Sequence, residues 1–490
     1  MIRTRFAPSP TGFMHIGNLR TALYAYLYAK RNNGTFMLRI EDTDRERYVE
    51  GAVDIIYSTL AAVGIEADEG PNEGGPYPPY IQSERKSMYL PYAEELIRLG
   101  GAYYCFCSKE RLESLTDENG VRTYDKHCLR LPPEEVQARL KSGEPYVIRL
   151  NVDPDVVTEY TDMIYGRIAV EGKDLEDNIL IKSDGMPTYN FANVIDDHTM
   201  NITHVIRGVE YLSSTPKYNL IYDAFGWERP KYIHLQHIMK DAQKKLSKRY
   251  GDANFDDFIR KGYLPGAIIN YIALLGWSPK DNTEKLSMEQ LIAEFSLEGI
   301  SRSPSIFDEA KMRWLNAQYI RELPFEKFYR LSKPFIAESK AAEYDRELIA
   351  RLLHGRCEVL SDIPGLINFV EEYELDPADF VNVKWKTDAN LARDIAEKFL
   401  EGISSKELGV IEKDLLNNTF PVLSDWSEQS LNEYMISLGE KYGWKKGQVL
   451  WCIRIAVTGC QNTPGGAAEM LYLLGEKRSI ARMKFFCNGR

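Results

Sequence analysis

Two short segments carry residue types that could handle a nucleotide. His15-Ile16-Gly17-Asn18 stands where a strand pattern gives way to a helix pattern. A helix N-terminus there offers backbone N–H groups and the positive end of the helix dipole to an anion. Gly17 lets a flat ring or a phosphate approach the backbone closely, and His15 can donate a hydrogen bond to a phosphate. Far along the chain, Lys245-Leu246-Ser247-Lys248-Arg249 places a pair of lysines around a serine. Such a cationic loop can neutralise charge that grows on a triphosphate as diphosphate leaves. Taken singly, the first segment is equally a turn glycine beside a partly buried histidine, and the second a solvated basic turn.

Charged residues elsewhere suit a substrate that bears both signs. Arg5 and Arg207 fall on strand patterns, and either could fork onto a carboxylate. Glu41 stands just past the second strand pattern, where open parallel sheets place ligand groups. The same residues could instead close on one another as an internal ion-pair network. Cys105, Cys107 and Cys128 lie close together, with Tyr124 and His127 between them. Cys-x-Cys followed by Tyr-x-x-x-Cys is irregular for zinc, and His127 is chemically the commoner fourth ligand. The plain alternative is a set of thiols with no metal. No Ser/His/Asp or Cys/His set for nucleophilic catalysis stands out, which suits a reaction driven by positioning and charge stabilisation.

The elements that must hold these residues are legible at the N-terminus. Residues 3–8 form a strand pattern ending in the breakers Pro8-Ser9-Pro10-Thr11-Gly12. Leu19, Ala22, Leu23, Tyr26 and Leu27 then repeat at helical spacing. A second strand follows at Phe36–Ile40, and Thr43 with Glu46 has capping-box spacing for another helix through Val53, Ile56 and Leu60. Strand–helix–strand–helix at this spacing predicts a βαβ unit in a parallel sheet. Strand patterns resume at His204–Arg207 and Lys231–Leu235, and the chain reads as mainly helical after about 250. A domain boundary is placed at Leu323-Pro324, and there is no internal repeat.

Bulk properties set outer limits. A chain of 490 residues is too long for one compact core. Seven cysteines, odd in number and sparse, argue against a secreted disulfide scaffold. No apolar run is long enough to cross a bilayer, and Met1–Phe6 lacks the apolar stretch of a secretory signal. The net charge of −11 counts against a generic nucleic-acid binder, though not against an enzyme that holds RNA through local basic patches.

Taken together, the two nucleotide segments resemble the paired signatures of class I aminoacyl-tRNA synthetases. The surrounding sequence resembles the bacterial glutamyl-tRNA synthetases in particular. The likeness runs through Arg5–Gly12, Arg20-Thr21-Ala22-Leu23, Leu38–Asp44, Tyr189-Asn190-Phe191-Ala192, His204–Gly208, Leu212–Pro216, Leu274–Ser278 and Trp314-Leu315-Asn316, in order and at similar spacing. It is dense to about residue 320 and thinner beyond. The chain departs from the family at Asn18, Leu246, Gln243, Tyr250, Val209 and Tyr211, none of which removes a residue assigned to chemistry.

The resemblance implies a doubly wound, Rossmann-like α/β catalytic domain over 1–100 and 196–250, with an α+β acceptor-binding insertion at 101–195. An all-α stem-contact domain at 251–323 and a helical anticodon-binding domain at 324–490 would follow. It implies a glutamate–tRNA ligase that uses ATP with Mg2+, needs its cognate tRNA for activation, and charges tRNA(Glu), or tRNA(Gln) as well in a non-discriminating enzyme. Its ATP positions would be His15, Gly17, Asn18, Lys245, Ser247 and Lys248, with His15, Lys245 and Lys248 catalytic. Its glutamate positions would be Arg5, Ser9, Glu41, Tyr189, Asn193 and Arg207, with Arg207 on the side chain and Glu41 on the ammonium. It favours Tyr124 as the partner of Cys105, Cys107 and Cys128 in one structural zinc site, and Arg356 as an anticodon reader. A cytoplasmic monomer is the expected form.

Overall fold

The structure is a computed structural model that describes residues 1–489 apart from 45–46, 117–123, 247–252 and 408–422. The chain divides into two compact units. One comprises Met1–Arg260 and Pro265–Met312, the other Lys261–Leu264 and Arg313–Arg490.

The first unit is built on β1 (Arg3–Phe6), α1 (Ile16–Arg31) and β2 (Thr35–Leu38), with β1 and β2 parallel. The crossover helix α1 is apolar on nearly every side, with Leu19, Ala22, Leu23, Ala25, Leu27 and Ala29 fully buried. A helix apolar all round is one packed on every side, so α1 sits inside the unit. The next helix, α2 (Ala52–Ala62), does not start from a capping box at Thr43. It starts after Gly51, whose φ of +79° suits a residue without a side chain, and Glu46 lies outside the described residues.

Further strands are β3 (Ala102–Cys105), β4 (Val147–Leu150), β5 (Val157–Asp162), β6 (Gly166–Glu171), β7 (Ile179–Ile181), β8 (His204–Gly208) and β9 (Lys231–Leu235). β8 and β9 are parallel neighbours, with Arg207 directly opposite His234. β1 runs beside β8, held by Thr203 N–H to the Arg3 carbonyl at 3.0 Å and Arg3 N–H to Thr203 Oγ1 at 2.8 Å. Chain order therefore reverses between β1 and β8, and in such sheets the crevice at the carboxyl ends of the strands is where ligands bind. Strands β3, β4 and β7 form a separate antiparallel sheet. The β5–β6 hairpin, inside the stretch read as an insertion, instead joins the main sheet beside β9. Its Val157–Asp162 segment buries alternate residues, as an edge ribbon covered on one face does.

The second unit is helical, with no named strand among its described residues. Its helices include Phe325–Ala337, Arg346–His354, Glu428–Tyr442, Lys446–Thr458 and Glu476–Asn488, around a core containing Phe328, Ile349, Phe399, Met435 and Ile453. No helix among the described residues is long and apolar enough to cross a membrane.

Candidate functional site

The crevice at the strand ends is a cavity of about 280 Å³. On one side it is lined by His15, Gly17, Asn18 and Lys245, on the other by Arg5, Ser9, Glu41, Tyr189 and Arg207. Residues far apart in sequence thus meet in one place.

His15 is the N-cap of α1. Its Nδ1 accepts from Gly17 N–H at 3.0 Å, which puts the proton of a neutral ring on Nε2 and makes that nitrogen a donor. A Cβ on Gly17 would lie 3.1 Å from His15 Nδ1, a tight contact that would make the capping ring give by a few tenths of an ångström. The turn is fixed from a second side, where Ile16 N–H donates to the Ala253 carbonyl and Phe255 N–H to the Met14 carbonyl. Lys245 lies on the return arm of a tight turn. Leu246 N–H bonds the Ile238 carbonyl, and Asp241 Oδ1 caps the turn by accepting from Gln243 and Lys244 N–H. His237 and Glu210 share this end of the cleft. Burial, then the nearby Lys245, lowers the His237 pKa. Ser247 and Lys248 lie outside the described residues.

The charged residues on the other side divide into two groups. Arg5 and Glu41 do belong to an internal ion-pair network. Arg5 Nε meets Asp197 at 3.0 Å, Arg39 meets Asp197 and Glu41 at 2.9 Å each, and Arg85 meets Asp196 at 2.7 Å. Arg39 and the acidic pair Asp196-Asp197 were not picked out from sequence. Their signal was consecutive acids inside an apolar helix (Tyr189–Thr199), which buried cations must answer. Glu41 is 3% exposed, and its Oε2 makes no hydrogen bond among the described residues. Burial raises its pKa, opposed by Arg39 and Arg5.

Arg207 stands outside that network. It is 5% exposed, and no carboxylate pairs with it among the described residues. Its charge faces the rings of Tyr218, Tyr211 and Tyr232, at 4.8, 5.3 and 5.4 Å from their centroids. Nε donates to His234 Nε2 and one terminal nitrogen to Thr215 Oγ1 at 2.6 Å. Tyr211, one of the departures from the family, therefore packs on Arg207 and on Tyr189. Asn193 is buried one turn along the helix from Tyr189 and does not line the cavity, and its amide nitrogen donates to the Tyr189 carbonyl at 2.8 Å.

At the end of β3, the sulfurs of Cys105, Cys107 and Cys128 lie within 4.8 Å of one another. Tyr124 Oη is 3.3 Å from Cys105 Sγ and 3.5 Å from Cys107 Sγ. His127 is exposed, so of the two fourth ligands left open by the sequence the fold brings in Tyr124. A tetrahedral zinc, with bonds of about 2.3 Å to sulfur and about 2.1 Å to oxygen, needs sulfurs about 3.8 Å apart and sulfur to oxygen about 3.6 Å, so the donors fit. The hydrogen bond from Cys128 does most to hold the Cys105 thiol below its ordinary pKa, helped by Tyr124 and Arg149 against burial. Arg356, in the second unit, is exposed and donates to the Thr463 carbonyl at 3.1 Å.

Comparison with known proteins places this arrangement. Residues 1–314 match the family profile described as "tRNA synthetases class I (E and Q), catalytic domain", and residues 327–487 match "Anticodon binding domain". The chain is 52% identical over 488 residues to a glutamate–tRNA ligase of Clostridium botulinum, covering 99% of this chain and 98% of that protein. It is 50% identical to that of Clostridium novyi, over 99% and 97%. Among solved structures it resembles a glutamate–tRNA ligase from Elizabethkingia meningosepticum in complex with its amino acid (TM-score 0.83, 34% identity, 100% and 99% covered). It also resembles the glutamate–tRNA synthetase of Elizabethkingia anophelis (TM-score 0.84, 34% identity, 99% of each chain covered). The chain belongs to the glutamate–tRNA ligase family of class I tRNA synthetases.

Proposed function

We propose that this chain joins glutamate to tRNA(Glu) at the expense of ATP. The observation that carries the reading is Arg207, a buried guanidinium in the cleft with aromatic neighbours and no carboxylate beside it among the described residues. A buried cation without an anion is costly, and a substrate carboxylate removes that cost. Glu41 Oε2, also in the cleft, suits the substrate ammonium. With both ends of glutamate held, its α-carboxylate faces the nucleotide half of the cleft.

In the first step that carboxylate oxygen attacks the α-phosphorus of ATP. The bond to diphosphate breaks, and diphosphate leaves with the electron pair. The Nε2 proton of a neutral His15 and the positive end of the α1 dipole suit phosphate oxygens, and Lys245 suits the charge on the leaving group. By resemblance Ser247 and Lys248 share that work. Mg2+ enters with ATP, held largely by the phosphates. In the second step the terminal ribose hydroxyl of the tRNA attacks the glutamyl carbonyl and AMP leaves.

The antiparallel β3-β4-β7 region is assigned to the tRNA acceptor end, residues 251–323 to the stem and 324–490 to the anticodon. Cys105, Cys107, Tyr124 and Cys128 are assigned to zinc, which would cross-link the end of β3 to the 124–128 turn. The enzyme is proposed to act as a cytoplasmic monomer. Incubation with ATP, Mg2+, labelled glutamate and purified tRNA(Glu) tests the reading. Label should become acid-precipitable with release of AMP. Failure to charge tRNA(Glu) would refute it, and equal charging of tRNA(Gln) would remove the single-tRNA assignment.

A further inference from the structure

The group that holds Arg207 from behind is His234. The two stand opposite each other on β8 and β9, and His234 is wholly buried. His234 Nε2 lies 3.2 Å from Arg207 Nε. An arginine Nε can only donate, so Nε2 must accept. Nε2 can accept only if the ring proton is on Nδ1, which lies 2.7 Å from Asp162 Oδ2. Asp162 sits at the end of β5 and is itself held. Its other oxygen, Oδ1, accepts the backbone N–H groups of Ile164 and Tyr165 at 2.9 Å each. Burial lowers the His234 pKa, which keeps the ring neutral.

We propose that Asp162 and His234 are positioning residues that set glutamate specificity. Asp162 fixes the tautomer of His234, and His234 turns the Arg207 guanidinium so that its remaining N–H groups face the substrate. This rests on the reading that Arg207 takes the side-chain carboxylate. The chain of contacts predicts an unusual sensitivity to one isosteric change. In Asp162→Asn the amide oxygen must stay on the Oδ1 side, because two backbone N–H groups point at it. The amide NH2 then faces His234 Nδ1 and forces it to accept. The ring proton moves to Nε2, where it meets Arg207 Nε–H donor to donor and competes with Arg207 for the Thr215 hydroxyl 3.3 Å away, so the guanidinium loses the acceptor that His234 gave it.

The test compares Asp162→Asn, His234→Gln and His234→Asn, reading the KM for glutamate, the KM for ATP and kcat in tRNA charging. Losing one buried hydrogen bond to a charged group should raise the glutamate KM about 10-fold or more in Asp162→Asn, with the ATP KM unchanged. His234→Gln can offer a carbonyl near the position of Nε2 and should raise the glutamate KM less than His234→Asn, whose shorter amide answers Asp162 and does not reach Arg207. A purely structural role would instead raise the ATP KM or lower kcat together with the change in glutamate KM. That result, or a normal glutamate KM in folded Asp162→Asn, overturns the proposal. Should Asp162→Asn not fold, the two His234 variants take its place. Equal glutamate KM values for His234→Asn and His234→Gln then overturn the proposal. Arg207→Ala separates the two readings. If it leaves glutamate use intact, the role of Arg207 fails, whereas if it abolishes use while Asp162→Asn does nothing, only the positioning role fails.

Discussion

Arg207 is packed among three tyrosine rings, whereas Arg5 and Arg39 are closed on Asp197 and Glu41. Arg207→Ala should therefore lower kcat/KM for glutamate by on the order of 10³-fold, the scale of removing one partner of a buried charge pair. The melting temperature should hardly move, because loss of an unpaired buried cation offsets the lost packing. Near-normal glutamate kinetics would move specificity elsewhere. Glu41 behaves differently. Its pKa is raised in the fold, chiefly by burial, so its contribution to stability is fully present below its unfolded pKa and is lost as pH rises through the folded value. At neutral pH the ionised form is a burden on the fold that substrate binding relieves. Glu41→Gln should thus leave stability equal or higher while raising the glutamate KM by on the order of 10-fold to 100-fold. In the wild type, glutamate affinity should weaken as pH falls through the raised Glu41 pKa. Thermal melts and glutamate titrations across pH check both, and a less stable variant with unchanged KM would contradict them. The sequence marked Arg5, Glu41 and Arg207 alike, because residue type and strand position are the same for a paired and an unpaired cation. Only packing separates them, through Asp197 and Arg39 on one side and the tyrosines on the other.

The elements that hold these residues were legible where local pattern and tertiary packing agree. β1, α1 and β2 carry breakers, helical periodicity and strand runs that the fold respects. The expected capping box at Thr43 failed because the chain between β2 and α2 first runs along the cleft, where Glu41 and Arg47 line it. The β5–β6 hairpin was read as insertion because its membership of the main sheet depends on one long-range pairing, Asp162 with Tyr232, which leaves no local trace. The lysine segment follows a turn capped by Asp241, with Lys245 in the cleft. Lys248→Ala is expected to slow adenylate formation by on the order of 10²-fold while glutamate binding changes little, since its charge acts on the transition state. A change confined to the ATP KM, with full turnover at saturation, would contradict that. For the cysteine cluster, metal analysis of the purified protein should find zinc, and Cys128→Ser should lower it together with the melting temperature. A variant that melts like the wild type and carries the same metal would remove the assignment.

At the scale of the whole molecule, a chain of net charge −11 recognises a polyanion, so its contacts must be local and base-directed as well as electrostatic. Glutamate and glutamine tRNAs differ at the third anticodon letter, C against G. Arg356, exposed in the helical unit, is the proposed reader. Arg356→Gln should narrow the gap in kcat/KM between the two tRNAs. An equal fall on both, with a flatter salt dependence, would make it a phosphate contact instead. The cleft itself makes a sharper demand. A buried cation held for a carboxylate is left poorly paired by a neutral amide, so glutamine should be rejected by about 10⁴-fold or more. The most direct measurement is charging of tRNA(Glu) with glutamate and with glutamine in parallel, by wild type and Arg207→Ala. The expected result is a wild type that uses glutamate and excludes glutamine, and a folded variant that has lost its glutamate activity. A wild type that uses both amino acids with similar kcat/KM, or a variant that keeps the wild-type preference for glutamate, would contradict it.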